Sequence, residues 1–344
     1  MYNELFYKFC KERNIKNSTM KGYESALNKY SRFCRKSLND LLKEANKEEQ
    51  KAIPLKERKI KKRLIKYRQH LLNSEMSPNT VRTYFSKVKT FYKHYEIEMP
   101  IIPDAKYNNT YETNYLDLPT KKHIREVLDI VTIDLKAIIL FMSSSGTAKA
   151  ETLSLTVKQF IEGTKEYHNG GSIENILNTL ENKTEIIPTF YLKRIKTDKY
   201  YYTFCSPEAS QYIIAYLKTR PNLKAEDPLF DFSDSLLISK FQDINDRMGW
   251  GFKGNYRFFR SHTLRKFHAS NIGLIAEYVD SLQGRSKNEV HETYIKTNPD
   301  KLKQIYKSAM KNILIYNNDD YKEIKQEFTI VINVFLSGKE YNII

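Results

Sequence analysis

Near the C-terminal end of this 344-residue chain lie four side chains of the types that phosphodiester chemistry needs. His262 and Arg265 stand three apart in Ser261-His262-Thr263-Leu264-Arg265-Lys266, Arg285 follows Gly284, and Tyr294 comes nine residues later. On a helix or at a helix N-terminus, the three-residue spacing turns His262 and Arg265 to the same side. An imidazole with a pKa near 6.5 exchanges protons around neutrality. An arginine presents a planar fork of donors that matches phosphate oxygens, which a lysine does not. A phenol, with a reference pKa of about 10, becomes a nucleophile only beside cations and a proton acceptor. Arg285 and Tyr294 fall on a stretch that reads as a short helix, a loop and another turn.

These side chains need a scaffold, and the chain is long enough for two domains with separate cores. Its composition is 40% hydrophobic and 28% charged, ordinary for a globular protein. No run of about 18 apolar residues is present, so a membrane span is not expected. The first 13 residues lack the apolar centre of a signal peptide. Cys10, Cys34 and Cys205 have neither metal-ligand nor disulfide spacing, which suits reduced thiols in the cytoplasm. No group of Asp, Glu and His has metal-site spacing, which disfavours a metal-dependent nuclease.

The net charge of +16 is uneven. Residues 1–100 hold 24 Lys and Arg against 11 Asp and Glu, and the rest of the chain is nearly balanced. A basic N-terminal third is the footprint of a module that grips a polyanion. Periodicity predicts helices over 2–14, 18–35, 38–50, 55–74 and 78–95. Ser77-Pro78 supplies an N-cap and a first-turn proline for the last of these. Its Val81, Tyr84, Phe85, Val88, Phe91 and Tyr92 form a core stripe. The helix before it carries Arg58, Lys59, Lys61, Lys62, Arg63 and Lys66, which nearly encircle it and are expected to lie along a phosphate backbone.

Residues 1–103 therefore read as a helical DNA-binding domain and 104–118 as a linker, with a second domain over 119–344. In the second domain a helix opens at Pro119 or Thr120, and a buried helix runs from Asp134 to Ser144 until Ser145-Gly146 stops it. Ile186–Lys196 and Tyr200–Cys205 read as a β-hairpin. Ser206-Pro207 opens another helix, and the pattern from Ser233 onward is helical. The expected fold class is mainly α, a helical domain followed by an α+β domain with a small antiparallel sheet.

His262-Thr263-Leu264-Arg265-Lys266, Leu282-Gln283-Gly284-Arg285 and Tyr294-Ile295-Lys296, in this order behind a basic helical module, resemble the tyrosine recombinase (phage integrase) family. The resemblance implies an integrase of a virus or other mobile element, a site-specific recombinase that cuts and rejoins double-stranded DNA. Tyr294 would attack the scissile phosphate, forming a 3′-phosphotyrosyl link and freeing a 5′-hydroxyl. The link keeps the bond energy, so neither metal nor nucleotide cofactor is required. Arg265 would hold phosphate oxygens, with His262 as general base or orienting group. Arg285 stands where the family usually has histidine or tryptophan, and as an arginine would still donate to a phosphate oxygen. Lys196 at the hairpin turn, or Lys199, would protonate the leaving oxygen. The family's Gly-x-Arg-x-x-Glu segment corresponds to Gly146–Glu151, with Ala148 in the arginine's place and Lys149 next to it as the substitute cation. The family implies two domains clamped around DNA and a homotetramer on two duplexes. Pro299–Leu314 and Tyr321–Leu336 are candidates for packing on a neighbouring subunit. The expected location is cytoplasmic, at the nucleoid. The missing arginine motivates a second reading, an impaired recombinase that only binds DNA. A strand-swivelling topoisomerase is a third.

Overall fold

The computed structural model describes residues 4–105, 114–285 and 298–316. The chain divides into two compact units, Met1–Glu112 and Thr113–Ile344. The first holds α1 (Glu4–Glu12), α2 (Asn17–Cys34), α3 (Leu38–Gln50), α4 (Lys59–Leu72) and α5 (Pro78–His94). Local chemistry sets these bounds. Ser37 and Ser77 cap α3 and α5 by accepting the Asp40 and Thr80 amides, and Pro78 occupies the first turn of α5. Arg35 in the left-handed region ends α2. Phe9, Tyr30, Leu64, Tyr67, Val88, Phe91 and Tyr92 are fully buried in one core. The hydroxyls of Tyr30 and Tyr92 meet at 3.1 Å, so these two buried phenols are polar partners of each other.

The second unit opens with a 3-10 turn, Tyr115–Asp117, whose Asp117 and the following Leu118 are buried. Then come α6 (Lys121–Leu128), α7 (Ile133–Ser145), α8 (Lys149–Leu153), α9 (Val157–Gly163), α10 (Ile173–Glu181), β1 (Thr189–Lys193), β2 (Tyr200–Phe204), α11 (Pro207–Lys218) and α12 (Asp234–Arg247). A second hairpin, β3 (Phe252–Lys253) and β4 (Tyr256–Arg257), precedes α13 (Ser261–Asn271), α14 (Ala276–Leu282) and α15 (Pro299–Ala309). Both hairpins are antiparallel, and in the first Leu192 faces Tyr201. The β3–β4 hairpin corrects the expectation of unbroken helix after Ser233. Gly249, Gly251 and Gly254 all take positive φ there, which helix does not allow.

Helix α7 is the axis of this unit. Every residue from Ala137 to Met142 is fully buried, so the helix is apolar all round rather than on one stripe. It packs against α11 and α13. Its buried C-terminal carbonyls need donors. Tyr306 of α15 donates to the Ser144 carbonyl at 3.0 Å, and Thr203 of β2 donates to that of Ser145 at 3.1 Å. Leu302, Tyr306 and Ala309 of α15 are buried in the core of their own unit. Much of Pro299–Leu314, expected as a subunit contact, is therefore taken up within its own unit. Tyr321–Leu336 lies outside the described residues.

Candidate active site

Helix α13 begins at Ser261, which puts His262 and Arg265 in its first two turns. Arg265 is 5% exposed. Its Nη1 donates to the Gly146 carbonyl at 2.7 Å and its Nη2 to the Gln283 carbonyl at 2.8 Å. One guanidinium thus ties the end of α7 to the end of α14. Burial, with Arg194 and Arg285 nearby, lowers its pKa to about 10. His262 reaches solvent at one edge, yet the protein around it and the charges of Arg260, Lys266, Arg265 and Arg285 push its pKa down to about 4. It is therefore a neutral imidazole at pH 7, and the cations that keep it neutral also make it a weak proton acceptor until an anion offsets them.

Gly146 ends α7 with φ of +64°, and a Cβ there would sit 2.5 Å from His268 Nδ1 and 2.7 Å from Gln283 Nε2. Gln283 is fully buried, and its Nε2 donates to the Arg265 carbonyl at 3.1 Å and to His268 Nδ1 at 2.9 Å. The backbone carbonyl fixes the orientation of the amide and makes Nδ1 the acceptor, leaving the His268 proton on Nε2. Gly284, at φ +60°, then turns the chain so that the Arg285 amide donates to the Asp280 carbonyl at 2.9 Å. This six-to-one bond is a Schellman end for α14, and it sets where Arg285 begins. The Arg285 side chain is exposed and lies 3.4 Å from Asp280.

Burial, helped by Arg265 and Arg285, lowers the pKa of His268 to about 3. An unfolded imidazole titrates near 6.5, so between pH 6.5 and 3 the unfolded chain binds more protons. Stability is full above pH 6.5 and falls as pH drops. From pH 6.5 to 4.5 this one group is expected to remove roughly 2–3 kcal/mol. Urea unfolding at the two pH values, compared between the native chain and His268→Gln, checks this. Equal pH slopes in the two proteins would rule the assignment out.

The predicted cations separate into two groups. Lys149, the expected substitute for the missing arginine, instead turns to α12 and pairs with Asp234 at 2.6 Å. The acidic start of α12, distant in sequence, draws it there. Lys196 is exposed in the loop between β1 and β2, with no side-chain partner among the described residues. Lys199 is exposed as well, and its carbonyl accepts the Arg194 amide at 2.7 Å to close that loop. Arg194, absent from the sequence expectations, lies 2.8 Å from Glu151 Oε1, which also accepts the Ile195 amide at 3.1 Å. No periodic signal marks Arg194, because it stands just past a strand end. Tyr294 lies outside the described residues.

On α4, Ile60, Leu64, Tyr67 and Leu71 are buried, so the basic residues do not encircle the helix. Arg58 is 8% exposed and pairs with Glu49 at 2.7 Å and Glu98 at 3.2 Å. Arg63 pairs with Glu44 at 3.0 Å, which Lys59 also approaches at 3.2 Å. These three cations, two of them nearly buried, neutralise acids of α3 and the segment after α5 rather than standing clear for phosphate. Lys62 and Lys66 are exposed and Lys61 half-buried, with no ion-pair partner among the described residues. Lys62 and Lys66 stand one helical turn apart.

Among the described residues no group of three or more His, Cys, Asp and Glu is arranged to hold a metal ion. No helix among them is long and apolar enough to cross a membrane.

No protein-family model matches the chain, and no curated protein matches its sequence. Solved structures match its fold. The Tn1549 transposon integrase in complex with circular intermediate DNA aligns with a TM-score of 0.53 at 12% identity, over 89% of this chain and 98% of that one. The same integrase with transposon right-end DNA aligns at 13% identity with the same score and coverage. The fold is that of the tyrosine recombinases. XerH bound to its difH substrate aligns at 15% identity with a TM-score of 0.49, over 87% of this chain and 82% of that one. In this recombinase fold, the helix bearing His262 and Arg265, the end of α14 bearing Arg285 and the β1–β2 loop bearing Lys196 come from separate parts of one unit.

Proposed function

We propose that the chain is a site-specific DNA recombinase of a mobile element, acting through a covalent 3′-phosphotyrosyl intermediate. The observation that carries this reading is that Arg265, on the same helix as His262, bonds the Gln283 carbonyl two residues before Arg285, on a recombinase fold. In the first step the Tyr294 oxygen attacks the scissile phosphorus while His262 takes the phenol proton. The 5′-oxygen leaves with a proton from Lys196 or Lys199. Arg265 and Arg285 stabilise the charge that grows on the non-bridging oxygens. Reversal by a different 5′-hydroxyl rejoins the strands, so no external energy source is needed. Double-stranded DNA is the substrate, and assembly as a homotetramer on two duplexes belongs to the same proposal.

A second reading, a protein that binds DNA without cutting it, is favoured by one observation. Lys149, the cation nearest to Ala148, is turned to Asp234.

The test begins by selecting bound duplexes from a random library, since phosphate contacts carry no sequence information. Nicked suicide substrates are then built on the selected sequence. The native chain is expected to give a covalent protein–DNA band that survives denaturant. Tyr294→Phe is expected to lose the band and keep salt-sensitive binding. Binding without a band in the native chain selects the second reading.

A further inference from the structure

Arg194 follows the last residue of β1, and its side chain is 15% exposed. It belongs to a cluster in which positive charge exceeds negative. Arg194 and Arg285 both bear on Arg265, Arg194 the more strongly, and Glu151, which lies 2.8 Å from Arg194, bears on Arg265 as well. Asp280 stands beside Arg285. The carboxylate among the other two is Glu151, 2% exposed. Arg194 and Arg265 are the two held away from water, and like charges so placed are unfavourable unless anions match them.

Hydrogen bonds leave groups open on both sides: among the described residues Glu151 Oε2 and Gln283 Oε1 are buried acceptors without a donor, and Arg194 Nη1 is a buried donor without an acceptor in bonding geometry. Glu151 Oε1 already serves both Arg194 and the Ile195 amide. The Tyr201 and Thr197 hydroxyls are buried and have no partner among the described residues. Tyr201 sits directly against Gly284, where a Cβ would lie 2.5 Å from its ring, so these donors border the segment that presents Arg285. The open donors of Arg194, Tyr201 and Thr197, beside one guanidinium more than the carboxylates match, describe a place for an oxyanion. Lys149 is paired with Asp234 on α12 instead.

The geometry points to Arg194 as a second phosphate-binding guanidinium, steadied by Glu151 and acting beside Arg265 in the role that Ala148 leaves empty. It rests on the reading of this site as one for phosphodiester chemistry. Glu151 is then a positioning residue. The β1–β2 loop supplies a fork for non-bridging oxygens as well as the lysine for the leaving oxygen.

The experiment has two arms, both on the full chain. In the first, inorganic phosphate is titrated calorimetrically at matched ionic strength. The variants are Arg194→Gln, the double variant Glu151→Gln with Arg194→Gln, and Lys193→Ala as a surface control on the same hairpin. The double variant leaves no buried carboxylate unpaired, so it folds even where the single one does not. Phosphate is expected to bind the native chain, about 10-fold or more weakly to both Arg194 variants, and within about 2-fold of native to Lys193→Ala. Native affinity in the double variant, or no phosphate binding by the native chain, overturns the inference. In the second arm, covalent adduct formation is timed on suicide duplexes with either a normal phosphate or a neutral methylphosphonate at the scissile position. The deficit of the double variant is expected to shrink on the neutral linkage, because less charge remains to be offset. A deficit of the same size on both linkages assigns Arg194 a structural role and overturns the inference, even if the native chain cleaves DNA. Phosphate binding that depends on Arg194, in a chain that never forms an adduct, supports the anion site and overturns the proposed function instead.

Discussion

Arg265→Ala is expected to abolish adduct formation and to destabilise the second unit by roughly 2–5 kcal/mol. Its guanidinium is buried and bridges the carbonyls of Gly146 and Gln283. Removing it leaves two buried acceptors without donors, each at a cost of about 1–3 kcal/mol. Arg265→Lys separates charge from geometry. A lysine keeps the positive charge, but its compact ammonium lacks the fork that reaches both carbonyls and still faces a phosphate. The lysine variant is expected to recover part of the stability while its adduct rate stays about 100-fold or more below native. Urea unfolding and single-turnover adduct kinetics read the two quantities separately. A lysine variant with native rate would show that the planar fork plays no part in the chemistry.

Gly146→Ala is the second large effect, and it acts on packing. The substitution forces a side chain into the left-handed region at φ +64°. It also drives a Cβ to 2.5 Å from His268 and 2.7 Å from Gln283, both fully buried. Neither neighbour has room to yield, since the pair is hydrogen-bonded and supports Arg265. A loss of about 3 kcal/mol or more is expected, together with a fall in adduct rate as the Arg265 carbonyl contacts shift. Gly249→Ala is the matched control. That glycine has φ of +66° but nothing within 4 Å of the added Cβ, so only the backbone strain remains, about 1 kcal/mol. Equal losses at the two positions would mean that the contacts with His268 and Gln283 contribute nothing.

The helical first unit was legible in the sequence because its signals are local. Ser77-Pro78 starts α5 where expected, and the stripe from Val81 to Tyr92 is the face that is buried. The run from Leu135 to Met142 marks α7, and Gly146 ends it. Helices α8, α9 and α10, with 5, 7 and 9 residues, are too short for a period to declare itself. The β3–β4 hairpin has strands of two residues each, which no alternation can reveal.

The site divides along the same line. By itself the sequence determined that His262 and Arg265 share a helix face, that Arg285 follows a glycine turn, and that position 148 lacks a guanidinium. Each of these depends on residue type and near-neighbour spacing, which backbone geometry converts directly into position. Only the tertiary structure decided which cations are available. It pairs Lys149 with Asp234, brings Arg194 to Glu151, and engages Arg58 and Arg63 with acids while leaving Lys62 and Lys66 exposed. A side chain's charge is a local property, whereas its electrostatic partner is whichever group the packing of distant elements brings within a few ångströms.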